Sequence, residues 1–184
     1  LLELNPSITH NSTFSIYSSE PRSKEYHYQK TLYATQEGYR CIHIWDWDDV
    51  SKIINLIKSS QRILYARKCE VREVSKQDAI SFINKYHLQG YTNSKINLGL
   101  YFENELVSVM TFGKPRYNKK YEYELIRFCS SDKVVGGAEK LFKYFVNTYA
   151  PKSIISYCDN SKFSGNVIFL SRSFLFITII LCLS

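Results

Sequence analysis

Hydrophobic and polar positions along the chain change their period several times, and each change marks an element. Leu1-Leu2-Glu3-Leu4 sets apolar residues around one charge and reads as the inside of a strand, with no start signal ahead of it. Pro21 to Lys30 is polar and charged. Thr31 to Glu37 reads as the end of a helix that stops at Gly38, because glycine takes the left-handed conformation of a helix C-terminal cap without steric cost. The stretch YRCIHIW, Tyr39 to Trp45, is dense in β-branched and aromatic residues and predicts a strand. Asp46, Asp48 and Asp49 then stand where they can cap a helix beginning near Val50.

A second block follows a polar, basic junction, SSQRILYARK (Ser59 to Lys68), which reads as a linker or as a first strand. Ser75 sits at a cap position three residues ahead of Asp78, and Ala79, Phe82, Ile83 and Tyr86 then form one helical face. Ile96 to Phe102 and Leu106 to Phe112 flank Glu103-Asn104-Glu105, a hairpin signal. Tyr123 to Cys129 predicts a third strand. Ala138 to Tyr149 is an amphipathic helix through Leu141, Phe142 and Phe145, closed ahead of Pro151, and Ser153 to Cys158 is a buried strand. The predicted fold class is α/β in the mixed α+β sense, with a first domain over residues 1–58, a linker over 59–68 and a second domain over 69–184.

Charge and cysteine usage narrow the partners. Lys plus Arg outnumber Asp plus Glu by 24 to 17, giving +7 and a pI near 9.1, which favours a polyanion such as double-stranded DNA over an acidic surface of the chain's own. A solvated basic surface is the alternative. Five cysteines, an odd count without CxxC spacing, predict reduced thiols in a cytoplasmic compartment, with neither zinc ribbons nor disulfides. No stretch reaches the roughly 18–20 apolar residues of a spanning helix. The nearest, Phe174 to Leu183 (FLFITIILCL), is expected to be a buried strand or an altered terminus, with no membrane partner.

Two resemblances give these blocks a chemistry. ELNPSITHNS followed by EYHYQKTLYATQEGYRCIHIWDWDD resembles the back half of a nuclease domain related to the very-short-patch repair endonucleases, a branch of the restriction-endonuclease-like superfamily also used by phage homing endonucleases. Such an enzyme hydrolyses phosphodiesters with a hard cation, usually Mg²⁺, that neutralises charge on the phosphate and lowers the pKa of a bound water. The resemblance implies a catalytic aspartate roughly a dozen positions before the pair Thr9-His10, the Thr9 carbonyl as a further metal ligand and His10 as general acid/base. The chain then begins too late to contain that aspartate, and an incomplete, inactive fragment is expected. Glu3 on its strand supplies one carboxylate for the metal, and His27 and Lys30 lie at i and i+3 on one helical face, where both reach the same phosphates. Taken singly, Glu3 reads first as an edge-strand charge, His10 as a turn residue after Pro6 and His27 as a surface histidine; it is their order that favours the catalytic reading. Asn5 stands where related nucleases often carry a catalytic lysine.

In the second block, LGLYFENELVSVMTFGKPR, YELIRFCSS and KVVGGAEKLFKYF resemble the acyl-CoA N-acyltransferase fold in its phage, Mom-like version, over about residues 69–166. Lys133 to Ala138 matches a (Gln/Arg/Lys)-x-x-Gly-x-(Gly/Ala) turn, so the resemblance implies that Gly136, Gly137 and Ala138 hold the pyrophosphate of acetyl-CoA at a helix N-terminus. A tight glycine turn is the alternative. Lys114, Arg116, Lys119 and Lys120, interleaved with Tyr117 and Tyr121, form a basic loop suited to DNA phosphates. The expected parent is thus a metal-dependent DNA endonuclease of the homing type, with a Mom-like acyltransferase or a non-catalytic DNA-binding remnant as the other readings, and the residues from about 167 depart from the acyltransferase pattern.

Overall fold

The structure is a computed structural model that describes residues 1–5, 26–57, 62–159, 162 and 177–182. Among these the elements run β1 (Leu2–Asn5), α1 (Tyr26–Gln36), β2 (Ile42–Trp45), α2 (Val50–Ile57), β3 (Ile63–Tyr65), a 3-10 turn (Ala66–Lys68), β4 (Glu70–Glu73), α3 (Lys76–Tyr86), β5 (Ile96–Phe102), β6 (Glu105–Gly113), β7 (Tyr123–Ser130), β8 (Lys133–Val135), α4 (Gly137–Tyr149), β9 (Ile154–Asp159) and β10 (Ile177–Cys182). The chain is a mixed α/β protein, as its patterning predicts. No helix among the described residues is long and apolar enough to cross a membrane. Two compact units emerge: a larger one holding Val50–Tyr157, and a smaller one holding the described part of Leu1–Asp49 with Cys158, Asp159 and Lys162.

The larger unit is built on a six-stranded sheet in the order β10-β9-β7-β6-β5-β4. Strands β4 to β7 pair antiparallel, whereas β7 and β9 run parallel and pair only from Tyr123–Ile154 to Leu125–Ser156. Its central strand β6 is buried on both faces, which is why its sequence is almost continuously apolar instead of alternating. Consecutive residues Val109 and Met110 enter different clusters: Val109 packs with Ala79, Phe82 and Ile83 of α3, Met110 with Leu141, Phe142 and Phe145 of α4. A helix therefore covers each face. The pairing jumps from Leu100–Ser108 to Tyr101–Leu106, so Val107 is an extra, bulged residue.

Local signals set the boundaries of these elements. Ser75 Oγ accepts the Asp78 N–H (3.1 Å) and donates to the Asp78 carboxylate (2.7 Å), a side-chain cap that starts α3. Between β5 and β6, Glu103 and Asn104 both take positive φ (49° and 66°), the geometry of a two-residue hairpin turn whose twist matches its strands. Outside the main sheet, β3 and β8 form a separate parallel pair, Ile63–Lys133 to Tyr65–Val135.

The smaller unit places β1 parallel to β2, with Leu2 opposite Ile42, Glu3 opposite His43 and Asn5 opposite Trp45. Parallel neighbours need a crossover, and α1 lies between them in the chain. Gly38 ends α1 as expected: with φ 79° it lets Gly38 N–H reach the Thr35 carbonyl (3.0 Å) and Tyr39 N–H the Ala34 carbonyl (2.8 Å), the paired bonds of a Schellman cap. Lys162, 3% exposed, closes the unit with Nζ 3.0 Å from Asp48 Oδ2 and 3.7 Å from Asp159 Oδ2, while Arg40 donates to its carbonyl (2.7 Å). Asp48 also accepts the Trp45 N–H (2.9 Å), so it ties the turn after β2.

Phe145 is the centre of the larger core. It is fully buried, stacks on Phe112 with ring centroids 3.6 Å apart and meets Tyr123 edge-on. Replacing a buried phenylalanine by alanine costs about 3–5 kcal/mol through lost burial and the cavity left behind. Phe145→Ala is therefore expected to lower the unfolding free energy by that amount, read as a fall in the urea midpoint followed by far-ultraviolet circular dichroism at unchanged slope.

Candidate functional site

The polar cluster of the smaller unit begins with an inverted strand. In β1 the leucines face out, Leu2 53% and Leu4 71% exposed, while Glu3 is half-buried and Asn5 buried. Turned the other way, the alternation would put apolar side chains inside. The reason lies in α1, where His27, Lys30, Thr31 and Ala34 share one face at the helical spacing. Three of those four are polar, so the strand that meets them is polar too.

At the centre is the Glu3 carboxylate. Lys30 Nζ donates to Glu3 Oε1, His27 Nδ1 lies 3.9 Å from Oε2, and His43 Nδ1 lies 2.8 Å from the same oxygen. The structure thus brings together Glu3, His27 and Lys30, three of the residues singled out from the sequence. It adds His43, 1% exposed, which the sequence reading treated only as part of a strand. Cys41 and His43 sit two apart beside a strand, hence on one side of it, and that spacing was the available signal. Thr9 and His10 lie outside the described residues.

Thr31 Oγ1 donates to the His27 carbonyl (3.1 Å) and lies 2.8 Å from His43 Nε2, while His43 Nδ1 faces Glu3 Oε2 and the Asn5 amide, 3.3 Å away. The His27 ring stands edge-on to both His43 and Trp45, and Trp45 stacks on Trp47.

Charges in the cluster move each other's pKa. Burial pushes the Glu3 carboxyl up, but the Lys30 hydrogen bond and charge, with His43 and His27, outweigh it and hold Glu3 below 4.5. Burial pulls Lys30 down, and its bond to Glu3 more than reverses this, leaving the ammonium above 10.5. His43 is held below 6.5, first by burial and then by the Lys30 and Lys162 charges, against the pull of Glu3. Burial and the Glu3 charge raise the Cys41 thiol. The result is an ion pair, a neutral imidazole and a protonated thiol.

Glu3, Cys41 and His43 present ligand atoms that all lie within 4.8 Å of one another, so the group could hold a metal ion. Its chemistry does not suit Mg²⁺, which demands oxygen ligands in near-octahedral array. Only one of these three donors is an oxygen.

The other predicted residues fall in the larger unit. Arg116 in the loop between β6 and β7 is bound to Glu124: its backbone N–H donates at 2.7 Å and its guanidinium at 2.8 and 2.6 Å to a carboxylate that is fully buried. Lys119 Nζ donates to the Pro115 carbonyl, and Lys114 and Lys120 are exposed. Gly136 and Gly137 stand at the start of α4. Gly136 has φ 74°, and a Cβ on Gly137 would come within 3.0 Å of Val134 Cγ1 and 3.3 Å of Leu100 Cδ1, so turn and packing account for both glycines. Ala138 packs against the larger core. Compared with protein-family models and with curated proteins, the chain matches none.

Glu3 makes the pH response of the smaller unit predictable. A carboxyl whose folded pKa is lowered contributes stability that is complete above the unfolded value, about 4.3, and is lost as pH falls through the folded value. Without Lys30, burial becomes the leading influence. Carbon-13 NMR of the side chain in Lys30→Ala should therefore show Glu3 titrating above 4.5 instead of below it.

Proposed function

We propose that the smaller unit carries the hydrolytic residues of a metal-dependent DNA endonuclease of the homing type. One observation supports this reading above the others: Glu3, His27 and Lys30 come from a strand and a helix more than twenty residues apart and meet at one carboxylate. The Lys30 side chain, 42% exposed, offers a phosphate its ammonium, and Glu3 orients it. His27, a quarter exposed, is placed to take a proton from water or give one to the leaving oxygen. A divalent ion, when bound, neutralises charge developing on the phosphate. For Mg²⁺, the ion expected from the sequence, Glu3 is the one hard ligand among the described cluster residues, and no step is assigned to it.

His43 and Cys41 beside Glu3 add donors for an ion softer than Mg²⁺, and slow nicking is the outcome this reading requires. The test is supercoiled plasmid incubated with Mg²⁺, Mn²⁺ or Zn²⁺ and with EDTA. Metal-dependent nicking that falls at least about 100-fold in His27→Ala, the usual worth of a general acid/base, supports the reading. Nicking that ignores His27→Ala and Glu3→Gln, or no nicking with any ion, overturns it.

Duplex binding is assigned to Lys114 and Lys120, the loop cations not folded back onto the protein. Each phosphate contact removed lowers the slope of log affinity against log salt by about 0.9, so Lys114→Ala with Lys120→Ala should flatten it by about 1.8 in titrations at several salt concentrations. Acyl transfer at Gly136, Gly137 and Ala138 is the competing reading for the larger unit. Calorimetric heat on adding acetyl-CoA, abolished by Gly137→Val, would favour it.

A further inference from the structure

We propose that Glu3 Oε2, His43 Nδ1 and the Cys41 thiolate form a binding site for a divalent transition ion of the zinc type. The inference concerns side chains of the proposed nuclease site but does not rest on that activity. It starts from donors gathered in one place: the buried Glu3 Oε2 lies 2.8 Å from His43 Nδ1, and one ligand atom each of Glu3, Cys41 and His43 lie within 4.8 Å of one another.

The spacing fits an ion. Ligands at about 2.0–2.1 Å on adjacent octahedral positions are about 2.9 Å apart, and on tetrahedral ones about 3.4 Å. The oxygen and nitrogen, 2.8 Å apart, are thus at the octahedral separation and about 0.6 Å short of the tetrahedral one. Lys30 holds the other carboxylate oxygen, Oε1, which leaves Oε2 to bind the ion alone. Thr31 Oγ1 meets the far nitrogen of the imidazole, Nε2, at 2.8 Å, where the outer partners of metal-bound histidines stand.

The third donor selects the ion. Cys41 is buried, on the same side of the chain as His43, with its sulfur 3.8 Å from His43 Nε2, and it completes the group whose ligand atoms lie within 4.8 Å of one another. On binding it gives up its thiol proton to solvent and coordinates as thiolate. Carboxylate, imidazole and thiolate together are a set that zinc accepts and Mg²⁺ does not, and three protein ligands leave one tetrahedral position for water or a substrate oxygen. A second buried acceptor, Asn5 Oδ1, also lacks a hydrogen bond, and the Asn5 amide nitrogen lies 3.3 Å from His43 Nδ1.

The experiment takes the whole chain, strips it with a chelator and titrates it with Zn²⁺ against a chromophoric competitor, then repeats the titration with Co²⁺. One zinc per chain is expected, with a thiolate-to-cobalt charge-transfer band in the near ultraviolet. Cys41→Ser, nearly isosteric and checked for folding by circular dichroism, should lose the band. It should also weaken zinc by more than about 10-fold, the least that even outer partners of a metal site contribute. Glu3→Gln should weaken zinc similarly, and Cys129→Ser, in the larger unit, should leave both readouts unchanged. No zinc bound, cobalt bound without the band, or a band that survives Cys41→Ser overturns the proposal. A chain that binds zinc but nicks no DNA keeps this proposal and loses the nuclease reading; one that nicks with Mg²⁺ and binds no zinc does the opposite.

Discussion

An ionised carboxylate drawn out of bulk water must be met by cations and donors or give up its charge. In the smaller unit that carboxylate is Glu3, and the arrangement around it follows from this demand. Lys30 satisfies one oxygen from α1, which fixes how the helix faces the strands. The histidines face the other oxygen, His43 from the neighbouring strand and His27 from the helix. The outward leucines of β1 are the counterpart: the strand cannot turn Glu3 and Leu2 to the same side.

The larger unit obeys the opposite rule, an apolar sheet between two helices, and its sequence was correspondingly easy to read. The β5–β6 hairpin, the Ser75 cap and the amphipathic α4 each announce themselves because local preference and tertiary environment agree. The short strands did not. In β4, three of four residues are charged, as suits a sheet edge, and β3 and β8 have three residues each, too few for a period to show. One charge in this unit could have been noticed: Glu124 interrupts an apolar strand, and a carboxylate there needs a partner, which is Arg116. The basic loop was legible as a cluster, but which of its cations was already engaged depended on that carboxylate.

The candidate site was legible in its members more than in its logic. Glu3, His27 and Lys30 could be chosen because their residue types suit phosphate chemistry and their order matched a pattern. His43 and Cys41 could not, since β2 reads as ordinary β-branched strand, and only the pairing of Glu3 with His43 brings the donors together. Polar residues on an inward face break the expected alternation, and departures of this kind gather at functional sites.

Lys162 carries a consequence for how the protein is made. The smaller unit draws on both the beginning of the chain and a segment near residue 160, with the whole of Val50–Tyr157 synthesised in between. On the ribosome, the hairpin and helices of the larger unit emerge with their partners close behind them, whereas Asp48 waits more than a hundred residues for its cation. Local contacts form early and distant ones late. The nascent chain thus passes through a stage in which Asp48 still lacks Lys162, so a protease or chaperone acting during synthesis would meet the turn after β2 before that ion pair closes it.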